Sequence, residues 1–145
     1  MNVGIVGHEA AKFTKKGQTE ALDIIMDLLS PQDAVLVSGG CHLGGIDIWA
    51  EQTAMVFGRA KIIHKPKSHD WSNGYKPRNI LIARDSDVLH CLAAVRLADS
   101  YQGMKFKLCY HCNATDHVKG GGCWTMKYAK ALGKTVELHQ IANEE

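Results

Sequence analysis

Residues 109–125 read CYHCNATDHVKGGGCWT, three cysteines and two histidines crowded ahead of a run of glycines. Cys109, Cys112, His117 and Cys123 follow the pattern Cys-x2-Cys-x4-His-x5-Cys, which exceeds a CCHC zinc knuckle by one residue in the last gap. Three thiolates and one imidazole make a closed tetrahedral donor set, the kind that zinc takes in structural sites. His111 is the alternative imidazole and Cys41 an alternative thiolate. Cysteines serving only as small core residues would not explain Cys-x-x-Cys beside histidine in a polar, glycine-rich loop. A redox-active Cys-x-x-Cys usually opens a helix after a strand, and neither cysteine is clearly placed so.

Three further stretches point to an anionic ligand. SGGCHLGGID, residues 38–47, brackets a strand-to-helix junction with two glycine pairs. Gly39, Gly40, Gly44 and Gly45 leave the backbone free to approach a phosphate, and the free N–H groups of the following helix favour an anion. Ser38 precedes the first pair. Asp47, in the first helical turn, is either a cap-region carboxylate or a ligand contact. In YKPRN, residues 75–79, Arg78 offers a fork of donors for phosphate and Asn79 both a donor and an acceptor. In GGGCWT, residues 120–125, Gly121 and Gly122 again run into a helix, with Thr125 as a hydroxyl donor or cap. Cys123 belongs to both patterns, so a metal there would pin the preceding segment onto the rim of the anion site.

These residues need a scaffold that gathers loops at one end. Short apolar runs alternate with helical patterns along the chain. Strands are expected at 3–8, 34–40, 61–66, 87–93 and 135–141. Helices are expected from Thr14, as cap, to about Leu29, over 46–58 with Gly58 as stop, around Arg78 to Arg84, and from about Cys123 to Leu132. Such alternation implies right-handed crossovers and a mostly parallel, doubly wound α/β sheet with helices on both faces. Ligands of such sheets bind outside the carboxyl ends of the strands, where the strand order switches. The glycine and arginine motifs all fall just after strands. A Cys/His-containing insertion at about 94–121 interrupts the last crossover. Trp49 and Trp124 are expected in the core, and Trp71, in a polar loop, is free to stack on a base.

The bulk properties fit one domain. At 145 residues, 46% hydrophobic and 22% charged, the chain can bury a single core. A net charge of +2 is modest for a nucleic-acid binder. With no basic-then-apolar leader pattern and no membrane-length apolar run, a cytoplasmic location is expected. Five cysteines, an odd number, suit reduced thiols or metal ligands there.

VLVSGGCHLGGIDIWAE, PRNILIARDSDVLHCLA and GGGCWTMKYAKALGKTVEL, taken together, resemble the superfamily of Rossmann-like nucleotide-binding proteins that includes DprA and the LOG phosphoribohydrolases. The resemblance is greatest to small single-domain members in which a Trp-containing segment precedes the Arg-Asn pair, as in DWSNGYKPRN. It implies a Rossmann-like domain over 1–145, a nucleotide or nucleotide-derived ligand, and pairing into homodimers. The phosphoribohydrolases carry Pro-Gly-Gly-x-Gly-Thr-x-x-Glu, whose glutamate serves in cleaving the N-glycosidic bond. Here the matching turn continues Cys123, Trp124, Thr125, Met126, Lys127, with no acidic residue, so Arg78 lacks that acid/base partner. The leading expectation is therefore a nucleotide-binding protein with a structural zinc. A nucleoside-monophosphate phosphoribohydrolase comes second, and a zinc-knuckle nucleic-acid-binding module third.

Overall fold

The computed structural model describes residues 1–145. Five strands, β1 (Asn2–Gly7), β2 (Val35–Ser38), β3 (Ala60–Ile63), β4 (Val88–Ala94) and β5 (Thr135–Ile141), form one sheet. Four helices connect them: α1 (Lys15–Leu28), α2 (Ile46–Phe57), α3 (Lys76–Asp85) and α4 (Gly121–Ala131). The strand order is β3-β2-β1-β4-β5 and every pairing is parallel. The chain winds outward from β1 to β3, then crosses back to lay β4 against the other side of β1. The order therefore switches between β1 and β4, and their carboxyl ends diverge into different loops.

Strand alternation assigns the two cores. Val3 and Ile5 of β1, Leu36 of β2 and Leu92 of β4 pack with Ala21, Ile25 and Leu29 and with Trp49, Ala50 and Ala54 under α1 and α2. Val6, Val37, Leu89 and Cys91 point to the opposite face, against Ile82 and Ala83 of α3 and Met126 and Ala129 of α4. Because both faces are covered, β1 and β4 read as continuous apolar runs and not as alternating ones.

Most boundaries match the sequence pattern. Thr14 caps α1, its side-chain oxygen accepting from the Gly17 N–H at 3.0 Å. Gly58 ends α2 in the left-handed region at φ 69°. Two helix starts differ. α4 starts at Gly121, two residues ahead of the expected Cys123, because its first turn is built from glycines that carry little helical signal. α3 starts at Lys76 and follows a π-helical turn over Trp71–Tyr75, a stretch expected to be polar loop. Asp70 caps that turn through the Asn73 N–H at 3.0 Å.

Gly45 is needed for its backbone. Its φ of 85° and ψ of −143° lie where side chains are strained, and a Cβ there would run into the His8 carbonyl and the Ala10 nitrogen. The same junction is tied by the Ile46 N–H donating to the His8 carbonyl at 3.1 Å. Gly45→Val is therefore expected to cost on the order of 3 kcal/mol or more, combining backbone strain with a clash against main chain. Urea unfolding checks this, and a loss below about 1 kcal/mol would contradict it.

Residues 95–120 form the irregular insertion between β4 and α4. It is fastened by three backbone bonds, Val118 N–H to the Ala94 carbonyl at 2.8 Å, Val95 N–H to Ile141 at 2.9 Å and Ala98 N–H to Lys12 at 3.1 Å. Within it, Cys109 and Ala114 pair antiparallel, closing a tight loop in which Asn113 takes a positive φ of 52°. No helix of the protein is long and apolar enough to cross a membrane.

Candidate ligand cavity and metal cluster

A cavity of about 790 Å³ opens at the carboxyl ends of β1 and β4. Of the residues expected at the ligand, Asp47, Arg78, Asn79, Gly121, Gly122 and Thr125 line it. Ser38, Gly39, Gly40, Gly44 and Gly45 do not. Ser38 is buried and donates its hydroxyl to the Ile5 carbonyl at 3.3 Å. Gly39 lies under Arg78, whose Nη1 donates to its carbonyl at 2.6 Å, and a Cβ at Gly39 would occupy the guanidinium's place. Gly40, Gly44 and Gly45 all have positive φ and shape the turn that leads into α2. The glycines of this loop thus position Arg78 and Asp47, while Cys41 and Leu43 are the loop residues that reach the cavity.

Arg78 is held from three sides. Besides the Gly39 carbonyl, its Nε donates to Asn79 Oδ1 at 2.8 Å, and its guanidinium lies 5.5 Å from the centre of the Tyr75 ring. Neither contact uses Nη2, which leaves that nitrogen for a ligand anion. Asp47 is 7% exposed and accepts from the Cys41 N–H at 3.2 Å. Burial raises its pKa to about 6, against the opposing pull of Arg78 and the Cys41 N–H. A carboxyl that folding pushes above its ordinary value binds protons more tightly in the native state than in the unfolded one. Its effect on stability is thus absent below the unfolded pKa and becomes unfavourable as pH rises towards about 6. Asp47→Asn is expected to flatten this loss and leave the ligand-free protein more stable at neutral pH, which denaturant unfolding at several pH values would read. Equal pH profiles for both proteins would refute it.

The loop after β1 contributes residues that sequence reasoning missed. Gly7, His8, Glu9 and Lys12 all line the cavity. Beyond the single Gly7, that loop has no glycine cluster and no motif, so no signal marked it. The His8 Nδ1 accepts from the Ala94 N–H at 3.1 Å, so its Nε2 carries the proton and donates to the Val118 carbonyl at 3.0 Å. Burial, followed by the charge of Lys12, lowers the His8 pKa to about 3 and keeps the ring neutral. His8 thereby clamps the insertion to β1. Lys119, Tyr110 and His111 approach from the insertion, placing Lys119 beside Lys12 and Arg78 as the cavity's basic groups.

Aromatic rings form the other wall. Trp71 meets Trp124 edge-on at 5.0 Å, and Trp124 stacks on Tyr128 at 5.4 Å. Trp49 is core as expected, 5.3 Å from Phe13. Trp124 is not: it is half-buried and lines the cavity, because Cys123, Met126 and Ala129 take the sheet-facing side of α4 and leave Trp124 and Tyr128 on another.

The second group lies directly behind α4's first turn. Ligand atoms of Cys109, Cys112, His117 and Cys123 all lie within 4.8 Å of one another, a cluster that could hold a metal. The Cys123 Sγ is 3.5 Å from the His117 Nε2, close to the roughly 3.6 Å edge of a tetrahedron built from zinc–sulfur and zinc–nitrogen bonds. His117 is buried, and its Nδ1 donates to Asp116 Oδ1 at 2.7 Å, which turns Nε2 towards the sulfurs. Carboxylates orient metal-bound imidazoles in this way. Burial, then the proximity of Cys123 and Cys109, pushes the Cys112 thiol up to about 12. A hydrogen bond with Cys91, then burial, pushes Cys123 upward as well. Sulfurs this crowded cannot ionise together unless a cation joins them. Neither His111 nor Cys41 belongs to the cluster; both line the cavity instead. Cys91 of β4, next to Cys123, was invisible to the spacing argument because it sits in a strand far from the motif.

No protein-family profile matches the sequence, and no curated protein sequence does. Solved structures do share the architecture. DNA processing protein A (DprA) from Streptococcus pneumoniae superposes with a TM-score of 0.63 at 18% identity, over 94% of this chain and 49% of that one. The chain thus spans about half the length of that DprA. The structural-genomics target TM1055 superposes with a TM-score of 0.61 at 14% identity, over 98% of this chain and 92% of that one. The chain therefore shares a Rossmann-like α/β fold with both of these structures.

Proposed function

We propose that the protein binds a nucleotide or nucleotide-derived phosphate in the cavity at the β1/β4 switch point, with a zinc ion fastening the insertion beside it. One observation carries the reading: Arg78, Lys12 and Lys119 share with the glycine-built N-terminus of α4 a cavity also lined by Trp71 and Trp124. Positive charge and free helical N–H groups suit phosphate, while the flat rings suit a base. The volume, about 790 Å³, suits a ligand of nucleotide size. Zinc is preferred at the Cys109, Cys112, His117 and Cys123 cluster because three sulfurs and one imidazole form a closed set with no open position. Isothermal calorimetry against nucleoside mono-, di- and triphosphates, cyclic dinucleotides and sugar phosphates tests the reading. Saturable binding by one class supports it; no binding across the panel removes it.

A second reading, cleavage of an N-glycosidic bond, draws support from Asp47. α4 carries no acidic residue, but Asp47 brings a carboxyl with a pKa of about 6 into the same cavity as Arg78. That value suits proton transfer near neutral pH. If the reading holds, free base is released from nucleoside monophosphates and the activity disappears in Asp47→Asn. Chromatography showing no base at any pH around that pKa leaves binding alone.

A further inference from the structure

On the opposite side of the sheet from α4, two strands bring a separate set of donors together. His90 of β4 stands directly opposite Glu137 of β5 in the parallel register, and His139 follows two residues later on the same face. That face is the one α1 and α2 cover further along: Leu92 and Ile141 belong to their core, whereas Cys91 and Leu138 belong to the other. The helices stop short of the triad. His90 is 7% exposed, but the side chains of His139 and Glu137 are 17% and 60% exposed.

The atoms converge on one point. His90 Nδ1 and His139 Nε2 are 2.9 Å apart. The same two nitrogens face the two oxygens of Glu137, at 3.6 Å from Oε2 and 3.9 Å from Oε1. All three donors therefore lie within 4.8 Å of one another. Neighbouring ligands of an ion with bonds of about 2.1 Å stand roughly 3.0 Å apart in an octahedron and 3.4 Å in a tetrahedron. The two imidazoles already have about that spacing, and the exposed Glu137 carboxylate needs only a small swing to join them. These three side chains make no other hydrogen bond, so nothing competes for their lone pairs.

We propose that His90, Glu137 and His139 form a second metal site, open to solvent, for a late first-row divalent ion. Two imidazoles and one carboxylate are a borderline donor set that suits zinc, nickel or copper over magnesium or calcium. With three protein ligands, the ion keeps open positions filled by water or by a donor from outside the chain. The site shares no residue with the cavity or with the Cys/His cluster. The sheet fixes its geometry, since neighbouring strands hold all three ligands in register.

Nickel(II) titration tests it, on protein first loaded with zinc and dialysed so that the Cys/His cluster keeps its ion. Calorimetry should show one nickel equivalent binding to the wild type. His139→Gln and His90→Ala should each weaken it by at least about tenfold, since even residues that merely orient ligands are worth that much. Glu137→Gln should weaken it less. Because Glu137 is exposed and His139 partly so, their variants should keep the wild-type thermal melt without metal, which separates lost ligands from lost fold. Histidine-selective nuclear magnetic resonance of the wild type reads the same site without any variant. Nickel should perturb the ring signals of His90 and His139 and leave that of His117 in place. No nickel binding by the wild type, or unchanged affinity in both His139→Gln and His90→Ala, would overturn the proposal. So would ring signals of His90 and His139 that do not respond.

Discussion

Protein purified without a metal-affinity tag is expected to retain close to one zinc per chain after exhaustive dialysis. Cys109→Ser and Cys123→Ser should each bring that content near zero. The expectation rests on the sulfur-to-nitrogen edge of 3.5 Å between Cys123 and His117, and on Asp116 orienting the imidazole from behind. Removing a structural metal is among the few changes that cost on the order of 4 kcal/mol or more. The loss should be uneven. Residues 95–120 have no helix or strand of their own, so chelation should expose their amides to hydrogen exchange before those of the sheet. Because metal binding requires thiolates, zinc should also leave more readily as pH falls. Elemental analysis and thiol titration decide the matter. Five freely titrating thiols in folded, metal-free protein would refute the site, and full zinc in both variants would place the ion elsewhere.

Arg78→Ala is expected to weaken whichever nucleotide the calorimetric panel identifies by about 1.5–3 kcal/mol, on the order of ten- to hundredfold in affinity. The guanidinium is the cavity's most constrained cation, fixed by Gly39, Asn79 and the Tyr75 ring. Arg78→Lys should recover only part of the loss. An ammonium reaching the Gly39 carbonyl cannot also offer a second nitrogen in a planar fork. Thermal melts of the ligand-free variants separate binding from packing. Unchanged affinity in Arg78→Ala would detach the anion site from α3 and leave it to Lys12 and Lys119.

The fold was legible because apolar runs and helical periodicity coincide along most of the chain. β1, β2, β4 and β5 fall within two residues of their expected limits at each end. β3 does not: it ends at Ile63, three residues before the expected 66, as the chain leaves the sheet edge ahead of Pro66. The helix starts at Lys76 and Gly121 were obscured by glycine and by an irregular π turn, whose stability comes from tertiary contacts and not from propensity. The cavity was legible in part. Arg78, Asn79, Gly121, Gly122 and Thr125 carry motif-like spacing, while His8, Glu9 and Lys12 arrive there only because β1 lies next to β4. Gly40, Gly44 and Gly45, expected at a ligand, all take the positive φ of a turn. Sequence shows that a position tolerates unusual φ; it does not show on which side of the backbone the ligand will stand. The His90, Glu137 and His139 group was silent for a related reason, since residues 47 positions apart become neighbours only through strand pairing.

Cys123 occupies the first turn of α4, flanked by Gly122 and Trp124 on the cavity wall, while its sulfur points into the Cys/His cluster. One helix terminus would therefore serve both of the proposed occupants. If an ion on its inner side steadies that turn and thereby strengthens anion binding on its outer side, thermodynamic linkage requires the anion to tighten the ion by the same factor. The two affinities cannot be tuned independently. A change in available metal would register as a change in apparent nucleotide affinity, and saturation with nucleotide would slow the escape of metal to a chelator.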